Sequence, residues 1–370
     1  MKTRAALLYA PHTPVMVEEI DIDEPKAGEV RVKIEAAGLC HTDLHYINGD
    51  MMGLMPIALG HEGAGIVESV GEGVNTLQPG DHVLMGVTVN CGKCPRCAIG
   101  QPYWCDNAAD PLLNGTQFEG TSRLSKDGET IYHCFSQSSF ADYVVASATG
   151  VIKIRDDAPF EYICGLGCGV GAGLGAVINN PRFTVEPGAS IAVFGCGSAG
   201  LSVIMGAKLV SAQHIVAIDV LENKLALAKE LGATLTINAA KENAVERTVL
   251  DIGAVDYAFD CVGKAELVEK AYNISKPNGG TVIILGAFPM VGPGSTFELE
   301  GFNFIMGKAV VGCSCGFMRP AYDYPRLVNL YMSGYLPLDK IVTHRFKLED
   351  INKGMEALSS GEATKVVIIP

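Results

Sequence analysis

The chain has 370 residues, 48% of them hydrophobic and 19% charged, and a formal net charge of −13. That length carries two domains with sizeable cores, and the composition is that of a globular protein, not a disordered one. The acidic balance excludes nucleic acid as an expected partner, because phosphate binding needs a basic patch.

The N-terminal stretch MKTRAALLYAPHTP has too few apolar residues before Pro11 for a secretory signal. Twelve cysteines without an export signal indicate a reducing, cytoplasmic setting, with thiols kept for metal rather than for disulfides. Short strands and turns follow: VRVKIEAAGLC alternates from Val30 to Ile34, GAGIVESVGEGV reads as strand then glycine turn, PGDHVLMG as turn then strand, and FADYVVASATGVIKI as two more strands. Within this β-rich region lies the run VNCGKCPRCAIGQPYWCDN, with Cys91, Cys94, Cys97 and Cys105 at spacings of two, two and seven intervening residues. Four thiolates close a tetrahedral zinc site, and a site with no open position holds structure.

Near Ala189 the pattern changes. SIAVFG reads as a buried strand, Ser198–Val210 as a helix and HIVAID as a second strand. Leu221–Leu231 is an amphipathic helix ending at Gly232. TLTIN and Val255–Cys261 are further strands, Glu266–Ser275 a helix, GGTVIILG a fifth strand and AVVGC a sixth. Strands alternating with helices imply a parallel α/β sheet with right-handed crossovers. The tail has a helix at Tyr324–Ser333, the strand VTHRFKL, a helix from Glu349 and the strand KVVIIP. Three uncharged stretches, Tyr162–Pro181, Pro187–Ala207 and Pro277–Phe297, approach membrane-span length. Each is broken by clustered Gly or by Pro, as buried strands running into tight turns are, so no membrane is expected.

Gly195, Gly197 and Gly200 form GxGxxG between a strand and a helix, and the next strand ends in Asp219. In that setting the motif binds a dinucleotide: the first glycine allows the turn, the second lets backbone approach the pyrophosphate, and the third lets helix and strand pack. Asp219 would accept the adenosine ribose hydroxyls and repel a 2′-phosphate, which selects NAD over NADP. Cys40, His61, Glu62 and Cys168 are candidates for a second zinc, since three ligands of mixed sulfur and nitrogen leave a position for chemistry. His12, His82, His133, His214 and His344 have no such setting and read as surface or core residues.

GHEGAGIVESVGEGV, from Gly60 to Val74, fits the pattern G-H-E-x2-G-x5-G-x2-V. With the four-Cys loop, the Cys40 and Cys168 segments and the glycine motif in the same order, the chain resembles the zinc-dependent medium-chain alcohol dehydrogenases over its whole length. The resemblance implies a GroES-like catalytic domain at 1–169, a Rossmann NAD-binding domain at 170–312 and a return to the catalytic domain at 313–370. It implies two zinc ions per subunit and NAD. Cys40, His61 and Cys168 match the catalytic zinc ligands, and Glu62 matches a nearby carboxylate that can approach the metal. Asp43 matches the carboxylate that orients the ligand histidine, which physics also favours. Thr42 matches the hydroxyl that bonds the alcohol, and His45 the far end of the proton relay. His41 and Lys365 fall where relatives contact the pyrophosphate, Lys365 standing where many have Arg, which keeps the charge and loses the bidentate fork. Lys224 falls at the place of an adenosine-ribose lysine.

The expected reaction is hydride transfer between a primary alcohol or aldehyde and NAD(H). The pocket residues implied are Met51, Val87, Cys134, Phe135 and Leu285, and Val87 in place of a common aromatic widens the pocket for medium or bulky substrates, aromatic ones included. A glutathione-dependent formaldehyde dehydrogenase would show an acidic residue near Met51 and an Arg near Ala109; both are read as absent, which argues against that activity. Ala172 replaces a threonine that many relatives hold against the nicotinamide. It leaves room for a member with permanently bound NAD(H) and an external acceptor. A polyol or secondary-alcohol dehydrogenase and a nonenzymatic zinc- and NAD-binding protein are the other readings. The long stretch Asp106–Ala146 resembles that of the longer, often dimeric members, so a homo-oligomer, with a dimer favoured, is expected.

Overall fold

The computed structural model describes residues 1–289 and 296–370. Part of the Pro277–Phe297 stretch therefore lies outside the described residues. Two compact units are present: residues 1–168 with 318–370, and residues 169–317.

The first unit is built on two sheets. Strands Lys2–Leu8, Met16–Ile22, Leu124–Lys126, Glu129–His133 and Ile57–Ala58 close into a small barrel. The second sheet runs Val151–Lys153, His82–Met85, Gly63–Val70, Glu29–Leu39, Lys365–Ile369 and Val342–Lys347, with Tyr143–Ser147 also paired to Glu29–Leu39. The alternation seen in VRVKIEAAGL becomes the long central strand Glu29–Leu39, whose valines 30 and 32 are 0% exposed. Its last residues lie between two neighbours. Ala36 and Ala37 face Ala64 and Gly63 on one side, and Leu39, Gly38 and Ala37 face Val366, Val367 and Ile368 on the other. Residues 40, 62 and 365 are thus gathered at one end of three adjacent strands.

The second unit has a six-stranded parallel sheet in the order Leu235–Asn238, His214–Asp219, Ser190–Phe194, Tyr257–Asp260, Thr281–Ile284, Ala309–Gly312. All five residues of the central strand SIAVF are buried, the signature of a strand covered on both faces. The strand order reverses direction on either side of Ser190–Phe194, and in such sheets the crevice beyond the carboxyl ends of the strands takes the ligand. The sixth strand expected at AVVGC pairs with Thr281–Ile284.

Some elements differ from the sequence reading. Lys2–Leu8 and Met16–Ile22 are strands that the short N-terminal pattern did not reveal. GVGAGLGAVI, rich in residues that disfavour helix, is a helix at Gly169–Ile178 with nine of its ten residues buried, so packing outweighs propensity. Ala244–Ile252 is a further helix, begun by Asn243, whose side chain accepts from the N–H groups of Val245 and Glu246. The tail helix starts earlier than expected, at Pro320, where proline suits a first turn. Among the described residues no single helix is long and apolar enough to cross a membrane.

Candidate active site and metal centres

The four cysteines at 91–105 are brought together by one loop. Cys94 caps the short helical turn Pro95–Ala98, and its sulfur accepts from the Cys97 N–H at 3.5 Å. The N–H of Cys94 points to Cys91 Sγ at 3.3 Å, the N–H of Cys91 to Cys105 Sγ at 3.4 Å, and Asn107 Nδ2 donates to Cys91 Sγ at 3.3 Å. The four sulfurs lie within 4.8 Å of one another. Burial opposes ionisation of Cys91, but the N–H groups of Lys93 and Cys94 and the Asn107 amide outweigh it and bring the thiol down to about 6. Cys97 is pushed up to about 12 by burial and by its neighbour Cys94. Donors aimed at sulfur and a closed set of four thiols fit a tetrahedral cation. None of the twelve cysteines is in a disulfide.

The second cluster is assembled from distant segments. Cys40 directly follows the central strand and caps the helix His41–Asn48. His61 and Glu62 precede the strand Gly63–Val70, and Cys168 follows the tight turn Cys164–Gly167. One donor atom from each of the four lies within 4.8 Å of the others, and the sulfurs of Cys40 and Cys168 are 4.0 Å apart. The contact between the two thiols holds Cys40 well below the usual thiol range and Cys168 well above it. His61 is 0% exposed. Its Nδ1 lies 3.2 Å from Asp43 Oδ1, while Nε2 is buried without any hydrogen-bond partner. Burial works against charge on this ring, yet the carboxylate of Asp43 and the sulfur of Cys168 outweigh it and raise its pKa, so the surroundings favour a positive charge there.

His133 shows what a core histidine looks like in the same unit. Its Nε2 accepts the Arg123 N–H at 3.1 Å, and Nδ1 lies 3.3 Å from the Ser138 hydroxyl. Burial, aided by the Arg123 charge, lowers its pKa to about 3 and keeps it neutral. A buried polar atom left unpaired costs roughly 1–3 kcal/mol, and the partnerless Nε2 of His61, on a ring grouped with the sulfurs of Cys40 and Cys168, fits a zinc ligand.

Asp43 is 0% exposed, and beyond His61 it accepts from the N–H of Cys40 at 3.0 Å and of Gly60 at 3.3 Å. Thr42 Oγ1 is 3.7 Å from the Cys40 sulfur, and His45 lies one turn further along the same helix. His45 Nδ1 is 3.1 Å from Asp50 Oδ2. The expected absence of an acidic residue near Met51 is corrected here: Asp50 directly precedes it and engages His45. His41 opens the helix and is exposed. Lys365, expected on a pyrophosphate, is 1% exposed, with its ammonium on Glu62 Oε2 and 3.1 Å from the Leu39 carbonyl. The Phe135 ring lies 5.0 Å from that of His61, and Cys134 Sγ is 3.9 Å from His61 Nδ1. The Val87 N–H donates to the Gly167 carbonyl at 2.8 Å, and Met51 is half-buried.

In the second unit, Gly197 caps the helix Ser198–Leu209 with no side-chain cap, so the first N–H groups are unpaired by any side chain and fit an anion. Nothing lies within 4 Å of where a Cβ on Gly197 would be, leaving open backbone for a phosphate to approach. Gly195 has φ +89°, and a Cβ on Gly200 would overlap the Gly195 carbonyl oxygen. Asp219 ends its strand with Oδ2 accepting the Cys196 N–H at 2.7 Å and Oδ1 accepting from Val220 and Leu221. Lys224 is buried on the following helix, where desolvation lowers its pKa against the pull of Asp219. Ala172 is 9% exposed in the helix Gly169–Ile178, and Leu285 is half-buried after its strand.

Residues 26–156 match the model of the alcohol dehydrogenase GroES-like domain, and residues 199–333 that of the zinc-binding dehydrogenase. The chain is 39% identical to the S-(hydroxymethyl)glutathione dehydrogenase of Paracoccus denitrificans over all of both chains. It is similar in structure to the benzyl alcohol dehydrogenase of Acinetobacter calcoaceticus, with TM-score 0.92, 32% identity and coverage of 100% of this chain and 99% of that one. An alcohol dehydrogenase zinc-binding domain protein from Burkholderia ambifaria gives TM-score 0.93 and 35% identity, again over 100% and 99%. The chain belongs to the zinc-dependent alcohol dehydrogenase family. It is an oxidoreductase that passes hydride between an alcohol or aldehyde and NAD(H), with zinc as its metal.

Proposed function

We propose that the substrate is a medium or bulky primary alcohol, aromatic ones included, or the matching aldehyde, handled where Cys40, His61 and Cys168 hold a zinc ion. The observation that carries this reading is the buried, partnerless Nε2 of His61, with Nδ1 anchored by Asp43, on a ring grouped with the sulfurs of Cys40 and Cys168. Cys91, Cys94, Cys97 and Cys105 hold the second, structural ion. Held by Cys40, His61 and Cys168, zinc would supply Lewis acidity, lowering the pKa of a bound alcohol by a shift worth on the order of 12 kcal/mol. NAD supplies the hydride acceptor.

The chain's own groups do the rest. Asp43 fixes the His61 ring so that Nε2 keeps its lone pair for metal. Thr42 Oγ1, beside the Cys40 sulfur, takes the alcohol proton. His45, one turn along the helix with Nδ1 against Asp50, is the distal end of the proton path and not in direct contact with Thr42. Met51, Val87, Cys134 and Phe135 wall the substrate, and the smaller Val87 admits a ring. Gly195, Gly197 and Gly200 take the pyrophosphate, and Asp219 with Lys224 takes the adenosine ribose.

The relatives named for S-(hydroxymethyl)glutathione support a second reading, and Asp50 beside Met51 gives it an acidic group. The test is a panel of benzyl and long-chain alcohols, polyols, and formaldehyde with glutathione, run with NAD(H) on protein of measured metal content. Benzyl or long-chain alcohols should lead; a dominant rate with glutathione and formaldehyde overturns the assignment. Bound NADH absorbance with no response to added NAD⁺ would instead support a permanently held cofactor. Asp219→Gly should weaken NAD use and relax the discrimination against NADP, and an unchanged preference would remove Asp219 from that role.

We further place the protein in the cytoplasm, where its twelve free thiols stay reduced. We read it as a homodimer, a state that sedimentation would check. The exposed apolar residues Phe302, Phe304, Ile305 and Met306 support this.

A further inference from the structure

Glu62 directly follows His61, and its side chain is 0% exposed. One of its carboxylate oxygens lies within 4.8 Å of the donor atoms of Cys40, His61 and Cys168. Four donors therefore converge where a reactive centre needs three and an open place. A buried carboxylate needs a counter-charge, and a cation held by its three neighbours would supply one.

The structure gives Glu62 a different partner. Lys365 is 1% exposed, and its ammonium sits on Glu62 Oε2 while also donating to the Leu39 carbonyl at 3.1 Å. Room for this pair depends on residue 38. A Cβ on Gly38 would overlap Glu62 Oε2 and would come 2.9 Å from Cε and 3.0 Å from Nζ of Lys365. Gly38 is otherwise an ordinary strand residue: its N–H donates to the Glu62 carbonyl at 3.0 Å, it pairs with Val367, and its φ is not positive. The missing side chain is therefore explained by the space the ion pair fills.

We propose that Lys365 is a positioning residue which, with the bare backbone at Gly38, holds the Glu62 carboxylate off the metal and keeps the fourth position open for substrate. The proposal rests on the zinc-site reading above. It concerns only the place of one carboxylate, so it can fail while that reading stands.

The test uses the full chain loaded with cobalt(II), whose visible spectrum reports the number and kind of its donors. The quartet at 91–105 contributes equally to every variant. Lys365→Met removes the counter-charge and Gly38→Ala removes the space, by unrelated routes. Both should shift the spectrum towards an added oxygen donor, slow release of that ion to a chelator by roughly tenfold, and lower kcat/KM. Lys365→Arg should keep the wild-type spectrum. Adding Glu62→Gln to either variant should restore it, which a merely structural lesion would not do. Spectra and release rates of Gly38→Ala that match wild type overturn the proposal, even where Lys365→Met does not fold. So does a spectral shift that persists after Glu62→Gln. A wild-type protein that binds metal only at the quartet overturns the zinc-site reading itself.

Discussion

One short loop delivers all four sulfurs at 91–105, with backbone N–H groups turned towards them, whereas Cys40, His61 and Cys168 arrive from three segments, the outer two 128 residues apart in sequence. The first set is all thiol and closed. The second mixes sulfur with an imidazole whose outer nitrogen has no partner. A local loop keeps its geometry through its own turns, so it suits an ion that stabilises. A centre spread over several strands is fixed only by the packed unit around it, and that rigidity is what an open, reactive position needs.

Breaking each centre should therefore give opposite results. Cys168→Ala should lose one metal equivalent and drop kcat/KM by on the order of 10⁴-fold or more, since several kcal/mol of charge stabilisation leave with the ion. Elemental analysis beside initial rates checks this, and undiminished turnover would exclude Cys168 from the centre. Cys105→Ser should cost more than about 4 kcal/mol of stability, as loss of a metal does, seen as a lower melting temperature. Its turnover at low temperature should fall far less than that of Cys168→Ala. Equal losses of activity in the two variants would erase the distinction.

The contrast between His61 and His133 adds a pH test. His133 has a folded pKa near 3 against 6.5 for the free group. Above 6.5 both states are neutral and nothing is lost. As pH falls from there, the unfolded chain takes up a proton that the folded one refuses, so stability drops by about 1.4 kcal/mol per pH unit until about 3. Comparing melting temperatures of wild type and His133→Gln from pH 7 to 4.5 should show a shallower acid loss in the variant. Parallel curves would mean that His133 is not held neutral. The smallest effect is expected at His45→Gln, which should slow turnover by roughly tenfold below neutral pH while both metals stay bound. An unchanged pH–rate profile would take His45 out of the proton path.

The alternation of VRVKIEAAGL and the continuous apolar run of SIAVF were legible because period and burial are written directly in residue order. The helix Gly169–Ile178 was not, because its glycines argue against helix and only its burial favours it. The cysteine quartet could be read from spacing. The grouping of residues 40, 61 and 168 rested on the family resemblance and not on their spacing, and the engagement of Lys365 with Glu62 was legible from neither. Those contacts depend on which strands lie side by side, and no local pattern carries that information. Asp50 was passed over for a related reason: it matters only because the helix turns His45 towards it.

By itself the amino-acid order determined the elements with strong periodicity, the donor chemistry of each cysteine and histidine, and the glycine turn that opens the dinucleotide helix. These follow from interactions within a few residues of each other. The resemblance anticipated that Asp43 orients His61; only the tertiary structure decided that the other His61 nitrogen is bare, that His133 has both satisfied, and that Glu62 rests against Lys365 over a glycine. Such differences between like residues arise from burial and from neighbours remote in sequence, which exist only once the strands have paired.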